Sequence, residues 1–600
     1  MKKSTKYFTS LATAVMLFSG ILAGCGNSAK NSAETSASVG DLKVAYKNPD
    51  KAINNGTLNV ALVQDEPFTG IFSFELLQTN ADQTLVGPTH TNGNSMFKTD
   101  SHFKITDGGA ANIRLDKATN SATITLRKGI RWSDGHKITA KDLEFAYELV
   151  ANPAYGSPHY TSTVSNIVGF EDFHNGKTKT ITGITYPHGE DGDSIRVQFH
   201  HLTAGMWNSG NDFYNEDIEP YHYLKNVAPA KLVSSKEIRQ APLSYGPYVV
   251  SKVVPGQSVT YVPNKYYYGP KPKLKKLVIS VVSPAVIGAA LKDKKYDVAL
   301  QMPATAYPVV KKLSDYVQTG QRSLTYGYLA FNVGHFDAQT NTNIQDRKTP
   351  LQSAALRQAI GYAMNVDQVT KKFGHGLQTR ANSTIGPIFG KYNDPNVKGF
   401  PLDISKANNL LDKAGFKWDK AHKYRLTPAG KPFTLTFLGQ SIDPNAAAID
   451  QNYIQQWQKI GVRVKLYKDR LFDHLTWGQK MLAGNSNDWD ITDGQWSVSS
   501  DPSQFGLYGQ HAPYNFGHFT NPTLEGLLKN VDALDAVQPS ARQEAFYKYQ
   551  QYMQDQAPVI PTYFALDWVP VNKRVVGWSN DHADDQYLWA NVGVSAAQPK

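Results

Sequence analysis

Strand-like and helix-like segments take turns along this chain from about residue 56 onward, and that interleaving constrains the fold more than any other feature. Thr57-Leu58-Asn59-Val60-Ala61-Leu62 and Thr123-Ile124-Thr125-Leu126 alternate with the two-residue period of strands. Ala140 to Val150, Leu356 to Phe373, Ile404 to Ala414 and Ala541 to Met553 carry helical spacing; in the second, Leu356, Ile360, Ala363 and Met364 share one face. Pro558 to Phe564 reads as a further strand. Strands separated by helices pack as helical layers on a sheet, so the class is α/β, and no repeat of solenoid period accompanies it.

The 600 residues contain one cysteine, so no disulfide can form within the chain and a large core must hold the fold. A chain this long buries a large share of its surface and divides into roughly two to four domains. Lys2, Lys3 and Lys6 precede an apolar run from Leu11 to Leu22, the pattern of a secretory signal peptide. The run is too short for a permanent membrane helix, which takes about 20 apolar residues. It ends in Leu22-Ala23-Gly24-Cys25, which resembles the lipobox of bacterial lipoproteins. In those proteins the cysteine receives a diacylglycerol and becomes the first residue of the mature chain. The expectation is a lipid anchor at Cys25 and a location on the extracellular face of the cell membrane. Gly26 to Gly40, rich in Ser, Ala and Asn, reads as a flexible tether. The net charge of +11 favours anionic lipids and cell-wall polymers; the dispersed basic residues and the export signal argue against nucleic acid.

Several strings carry a resemblance. Leu126-Arg127-Lys128-Gly129-Ile130-Arg131-Trp132-Ser133-Asp134-Gly135, followed by Thr139-Ala140-Lys141-Asp142-Leu143, resembles the signature of the peptide, opine and nickel solute-binding proteins of ABC transporters. Ser244-Tyr245-Gly246-Pro247-Tyr248 and Asn264-Lys265-Tyr266-Tyr267-Tyr268-Gly269 follow in that family's order. So do Leu329-Ala330-Phe331-Asn332, Leu356-Arg357-Gln358-Ala359-Ile360, Ala407 to Phe416, Ile460-Gly461-Val462, Trp489-Asp490-Ile491, Asp501-Pro502 and Pro558-Val559-Ile560-Pro561. Each string is weak alone; the ordered series across the mature chain is specific.

The resemblance implies a two-lobed, type II periplasmic-binding-protein-like α/β fold with an extra domain inserted in the first lobe, hinged at two chain crossings. The boundaries it implies are 1–24 signal peptide, 25–40 tether, 41–90 first part of lobe I, 91–215 inserted domain, 216–327 second part of lobe I, 328–557 lobe II and 558–600 the C-terminal part of lobe I. It implies a monomeric receptor that binds oligopeptides between its lobes and presents them to the permease and ATPase subunits of an ABC importer, with no cofactor. A receptor for signalling peptides, a nickel- or haem-binding member and an adhesin on the same scaffold are the alternatives. The Asp134-Gly135 pair suits a turn better than a catalytic role.

In many peptide-binding members a W-x-x-D string supplies an aspartate that pairs with the ligand's amino terminus. Here Trp496-Ser497-Val498-Ser499-Ser500-Asp501 puts Ser499 at that spacing, and Asp501 aligns with the family's D-P pair. Either Asp501 has shifted into the clamp, or the peptide end is not fixed. Gln495, Trp496 and Ser497 are expected on the cleft wall, and the Phe68 to Asn80 segment is a further candidate by its family position. Enzyme signatures fail: G-x-S-x-G and H-E-x-x-H are absent, and Glu171 stands where a P-loop ending in Gly176-Lys177-Thr178 needs its first glycine. Ser101-His102-Phe103-Lys104 fits S-x-x-K with no K-T-G after it, and His200-His201 lacks metal-ligand spacing.

Overall fold

The computed structural model describes residues 38–600 apart from 78, 94, 162, 442, 443, 485 and 486. Cys25, the leader and most of the expected tether lie outside the described residues. The spine of the fold is one large mixed sheet. In chain order its main strands are β1 (Gly56–Val63), β2 (Tyr248–Val254), β3 (Ser258–Pro263), β4 (Leu274–Val282), β5 (Val298–Leu300), β6 (Tyr316–Phe331), β7 (Leu435–Leu438), β8 (Val464–Leu466), β9 (Ile491–Ser497) and β10 (Val559–Asn572). In space they run β2-β3-β4-β1-β5-β10-β6-β9-β7-β8. β1 is parallel to both β4 and β5, and β7 is parallel to both β8 and β9. Such strands are covered on both faces, which is why β1 is apolar on both. Leu58, Val60 and Leu62 enter one core, and Ala61 and Val63 enter another with Ile287, Leu291 and Tyr307.

Two strands join the halves of this sheet. β6 and β10 span 16 and 14 residues and lie antiparallel. Tyr316 to Arg322 face Asn572 to Leu566 beside the cores of Leu58 and Ala61, whereas Tyr328 to Ala330 face Pro561 to Val559 beside a third core built around Trp457, Phe437 and Ile360. Between these stretches the register breaks twice: residues 323–325 stand against 565, then 327 stands against 562 and 563. Extra residues of this kind bend the strands that carry them. Gln378–Arg380 pairs with Ala565 to Tyr563 at the bend. The result is two lobes joined by a creased pair of strands.

A smaller antiparallel sheet of Ala111–Asp116, Ser121–Leu126, Ser194–Gln198 and Ile184–Thr185 forms the extra domain, with its own core containing Trp132, Tyr147 and Ile195. Its helix α1 (Ala140–Ala151) starts where Asp142 accepts the Thr139 backbone N–H at 2.8 Å. Three of the family-like strings meet here. The Ser244 N–H donates to Ser133 Oγ at 3.1 Å, Asn264 Nδ2 donates to the Gly246 carbonyl at 2.9 Å, and Tyr266 lies over Gly135. They form one structural knot, which agrees with reading Asp134-Gly135 as a turn; Gly135 has φ +98°, a conformation that favours glycine.

The expected helix from Leu356 to Phe373 is two: α2 (Ala354–Ala363) and α3 (Val366–Phe373). Met364 turns extended to bury completely, and Asn452 Nδ2 donates to Asn365 Oδ1 at 2.7 Å, so tertiary contacts override the continuous pattern. Arg357 explains its own string: buried beside α4 (Pro539–Gln556), it donates to the carbonyls of Gln556 and Ala557 at that helix's C-terminal end.

Candidate functional site

The two lobes and the crease line a partly open cavity of about 730 Å³. One wall is the end of β9 and the turn after it. β9 pairs with β6 so that Ser497 faces Thr325, Trp496 faces Tyr326 and Gln495 faces Gly327, and the Val498 N–H donates to the Leu324 carbonyl at 3.2 Å. Ser497, Val498, Ser499 and Ser500 line the cavity, joined from the crease by Gln321 and Leu324. The opposite wall carries Phe74 and Glu75 and the loop Ser209 to Glu216, and Trp578 to Asn580 close one side. The walls touch: Ser500 Oγ donates to the Ser209 carbonyl at 2.6 Å. Gly210, at φ +72°, packs so tightly against Ser500 that a side chain there would collide with it.

The five expected site residues of lobe II separate into two groups. Ser497 and Ser499 are on the cavity wall, and Ser499 Oγ donates to the Asp501 carbonyl at 3.1 Å. Gln495, Trp496 and Asp501 are not on it. Gln495 is exposed and accepts Tyr563 Oη at 2.8 Å. Trp496 points to the opposite face of the strand, as the two-residue alternation requires. There it stacks on Tyr328 and Phe516 with ring centres 6.0 and 5.5 Å away, supporting the wall from behind. Asp501 is buried, and Arg542 Nη2 donates to its Oδ1 at 2.8 Å. A carboxylate paired this closely in the interior is already neutralised, so it is poorly placed to hold a ligand's ammonium.

Sequence reasoning missed the charge of the opposite wall. Glu75, Asp212, Glu216 and Asp585 all line the cavity, and among the described residues no lysine or arginine does. Two of them have local partners. Glu216 accepts Ser95 Oγ and the Gly210 N–H, each at 2.6 Å, and also Ser209 Oγ; Asp585 accepts Asn92 Nδ2 at 2.7 Å and faces His582 Nδ1 at 2.9 Å. Glu75 is different: it is buried and its Oε1 has no hydrogen-bond partner among the described residues. Burial, and then the charges of Asp217, Glu219 and Glu216, push its carboxyl well above the ordinary range. Burial raises Glu216 to about 7 and, with Asp217 adding to it, Glu219 behind it to about 8. Asp212 is exposed to the cavity, and the desolvation imposed by the surrounding walls and then the charge of Asp501 raise it. His159, also on the wall, has an Nε2 with no partner among the described residues, and burial lowers its pKa. Two sequence signals touched this group: the expected Phe68 to Asn80 segment, whose Phe74 and Glu75 line the cavity, and the cluster Glu216-Asp217-Glu219, which carries no spacing specific to a ligand.

This arrangement offers hydroxyls and amides on one side and desolvated carboxyls on the other. Among the described residues it holds no nucleophile–base pair of the serine or cysteine type. It can bind a polar chain of variable composition and favours groups that donate hydrogen bonds or carry positive charge.

Comparison with known proteins agrees with the architecture. Residues 109–517 match the family described as bacterial extracellular solute-binding proteins, family 5 Middle. The chain is 46% identical over 593 residues to the oligopeptide-binding protein OppA of Lactococcus lactis subsp. lactis, an alignment covering 98% of each chain. It is 23% identical over 560 residues to the oligopeptide-binding protein AppA of Bacillus subtilis (strain 168), covering 90% of this chain and 92% of that one. Among solved structures, lactococcal OppA complexed with an endogenous peptide in the closed conformation matches with a TM-score of 0.77 at 47% identity, covering 90% of this chain and 100% of that one.

Proposed function

The chain belongs to the bacterial extracellular solute-binding proteins of family 5, and from that premise we propose that its cavity receives oligopeptides for delivery to an ABC importer. It is a receptor, not an enzyme. The observation that carries the reading is the cavity of about 730 Å³ between the lobes, in a chain similar along its whole length to an oligopeptide-binding protein. That volume is in the range of ligand cavities, roughly 300–1,000 Å³. Its hydroxyl and amide lining suits a peptide backbone, whose donors and acceptors are the same whatever the side chains. Affinity arises because contacts across both walls exist only when the crease is shut, so ligand and closure favour each other.

In this reading lobe I comprises residues 41–90, 216–327 and 558–600 around an inserted domain of 91–215, and lobe II comprises 328–557. The protein acts as a monomer, offering its closed form to the permease subunits. Cys25 anchors it to the outer face of the membrane through a diacylglycerol.

Mass spectrometry of whatever is released on denaturing the purified protein tests the main reading. Peptides of several lengths are expected. Absence of any peptide, together with no heat on titrating oligopeptides into the emptied protein, would refute it.

A further inference from the structure

Outside the cavity, the knot of family-like strings contains a group of side chains that peptide capture does not use. The hairpin from Arg131 to Lys137 closes with Gly135 N–H on the Trp132 carbonyl and Trp132 N–H on the His136 carbonyl, both at 2.9 Å. Trp132, fully buried, anchors it. Asp134 and His136 project from its tip, where the Asp134 carboxylate takes the His136 backbone N–H on Oδ1 at 2.9 Å. From a separate segment, the short helix Tyr221–Leu224, His222 reaches the same point.

The imidazoles of His136 and His222 stack with centres 4.1 Å apart, and His136 Nδ1 and His222 Nε2 both lie 2.9 Å from Asp134 Oδ2. The three atoms all fall within 4.8 Å of one another. Nitrogen and oxygen ligands bound at about 2.0–2.2 Å stand roughly 2.9–3.4 Å apart around an octahedral or tetrahedral ion. The two nitrogen–oxygen separations already match those a metal imposes, and a hairpin and a helix hold the three side chains together.

We propose that Asp134, His136 and His222 form a surface site for a divalent transition-metal ion of the zinc, nickel or copper(II) class. Two imidazoles and one carboxylate are the donors these ions prefer, whereas calcium and magnesium prefer an all-oxygen shell. To bind, each neutral imidazole carries its N–H on the other ring nitrogen and offers a lone pair where it now donates to Asp134. Three protein ligands leave at least one position to water. The ion would tie the hairpin of the inserted domain to the segment leading back into lobe I. Arg131, whose Nη1 donates to the Gly135 carbonyl at 2.8 Å, and Lys137 opposite it are the neighbouring cations that limit its affinity. With Cys25 the only cysteine, no thiolate site competes. The site is independent of what fills the cavity.

Calorimetric titration of zinc into the untagged, metal-stripped protein tests the proposal. One saturable equivalent and a rise in melting temperature with zinc are expected, since a ligand of the folded state alone stabilises it. His136→Ala and His222→Ala should each weaken zinc binding by at least about tenfold while leaving peptide binding unchanged. His136→Gln, which keeps a polar side chain at the hairpin tip, should weaken zinc in the same way if the alanine variant folds poorly. No saturable zinc binding up to about 1 mM, or equal binding in wild type and all three variants, overturns the proposal.

Discussion

Replacing Glu75 by glutamine keeps its shape and removes a carboxyl that the free protein holds at a cost. In the free state that carboxyl is buried, lacks a partner for Oε1 among the described residues and is crowded by Asp217, Glu219 and Glu216. A peptide lysine or amino terminus reaching it would meet an opposite charge in a partly dry site. At about 4 Å and an effective dielectric constant of 20 that attraction is about 4 kcal/mol before desolvation, and charge-assisted hydrogen bonds retain about 1.5–3 kcal/mol net. Glu75→Gln should therefore weaken a lysine-bearing peptide by about tenfold to a hundredfold, which is about 1.4–2.7 kcal/mol. The same peptide with norleucine in place of lysine should change by less than about twofold. Because the folded carboxyl titrates above its unfolded value, wild type loses this contribution to stability as pH rises through the folded pKa, and the glutamine variant does not. The variant's advantage in melting temperature should then grow from pH 5 to pH 8. Binding of the lysine peptide should also release a proton in wild type and not in the variant, read by calorimetry in buffers of different ionisation enthalpy. Equal losses for the lysine and norleucine peptides would refute the reasoning.

The raised carboxyls act together on stability: Glu216, at about 7, and Glu219, at about 8, stay protonated in the fold after their unfolded counterparts ionise near 4.5. The peptide-free protein should lose stability between about pH 4.5 and pH 8 and regain part of it with a cationic peptide bound, which melting curves across that range will show. Asp501→Asn should destabilise the fold by about 2 kcal/mol, below the roughly 3–5 of a fully broken buried pair, because Asp532 Oδ1 lies 3.7 Å from Arg542 Nη2 and can ionise in its place. The same variant should leave the ratio of affinities for free and acetylated peptides unchanged in calorimetry; a hundredfold fall in that ratio would show that Asp501 is the clamp. Cys25→Ala should move the receptor out of the membrane fraction or stop processing of its leader without altering the peptide affinity of the soluble form.

Periodicity made the elements legible: the strands around Leu58 and Ile124 and the helices from Ala140, Ile404 and Ala541 were expected and are present. It failed at Met364, where an apolar residue buries just as well in an extended turn as in a helix. The family-like strings gave the fold because they are structural, as Ser133 on Ser244 and Arg357 on the end of α4 show. For the same reason they said little of the cavity. Its hydroxyl wall lies in a string whose spacing was informative, and Ser497 and Ser499 line it. Glu75 and Asp212 lie in turns that long-range packing brings together, and no local pattern distinguishes a cavity acid from an exposed one.

The two breaks of register between β6 and β10 lie side by side, so the pair of strands that joins the lobes has a single crease with regular pairing on either side of it. A sheet creased once turns like a page, about one line, because shear or twist of one lobe past the other would tear hydrogen bonds beyond the crease. Each closure then returns the serine turn at residues 497–500 to the same place opposite the acidic loop at 209–216. The alignment of the two walls is thus written into the covalent chain and owes nothing to the guest. A peptide of any sequence meets the same frame, and only the side chains it points at that frame remain to be judged.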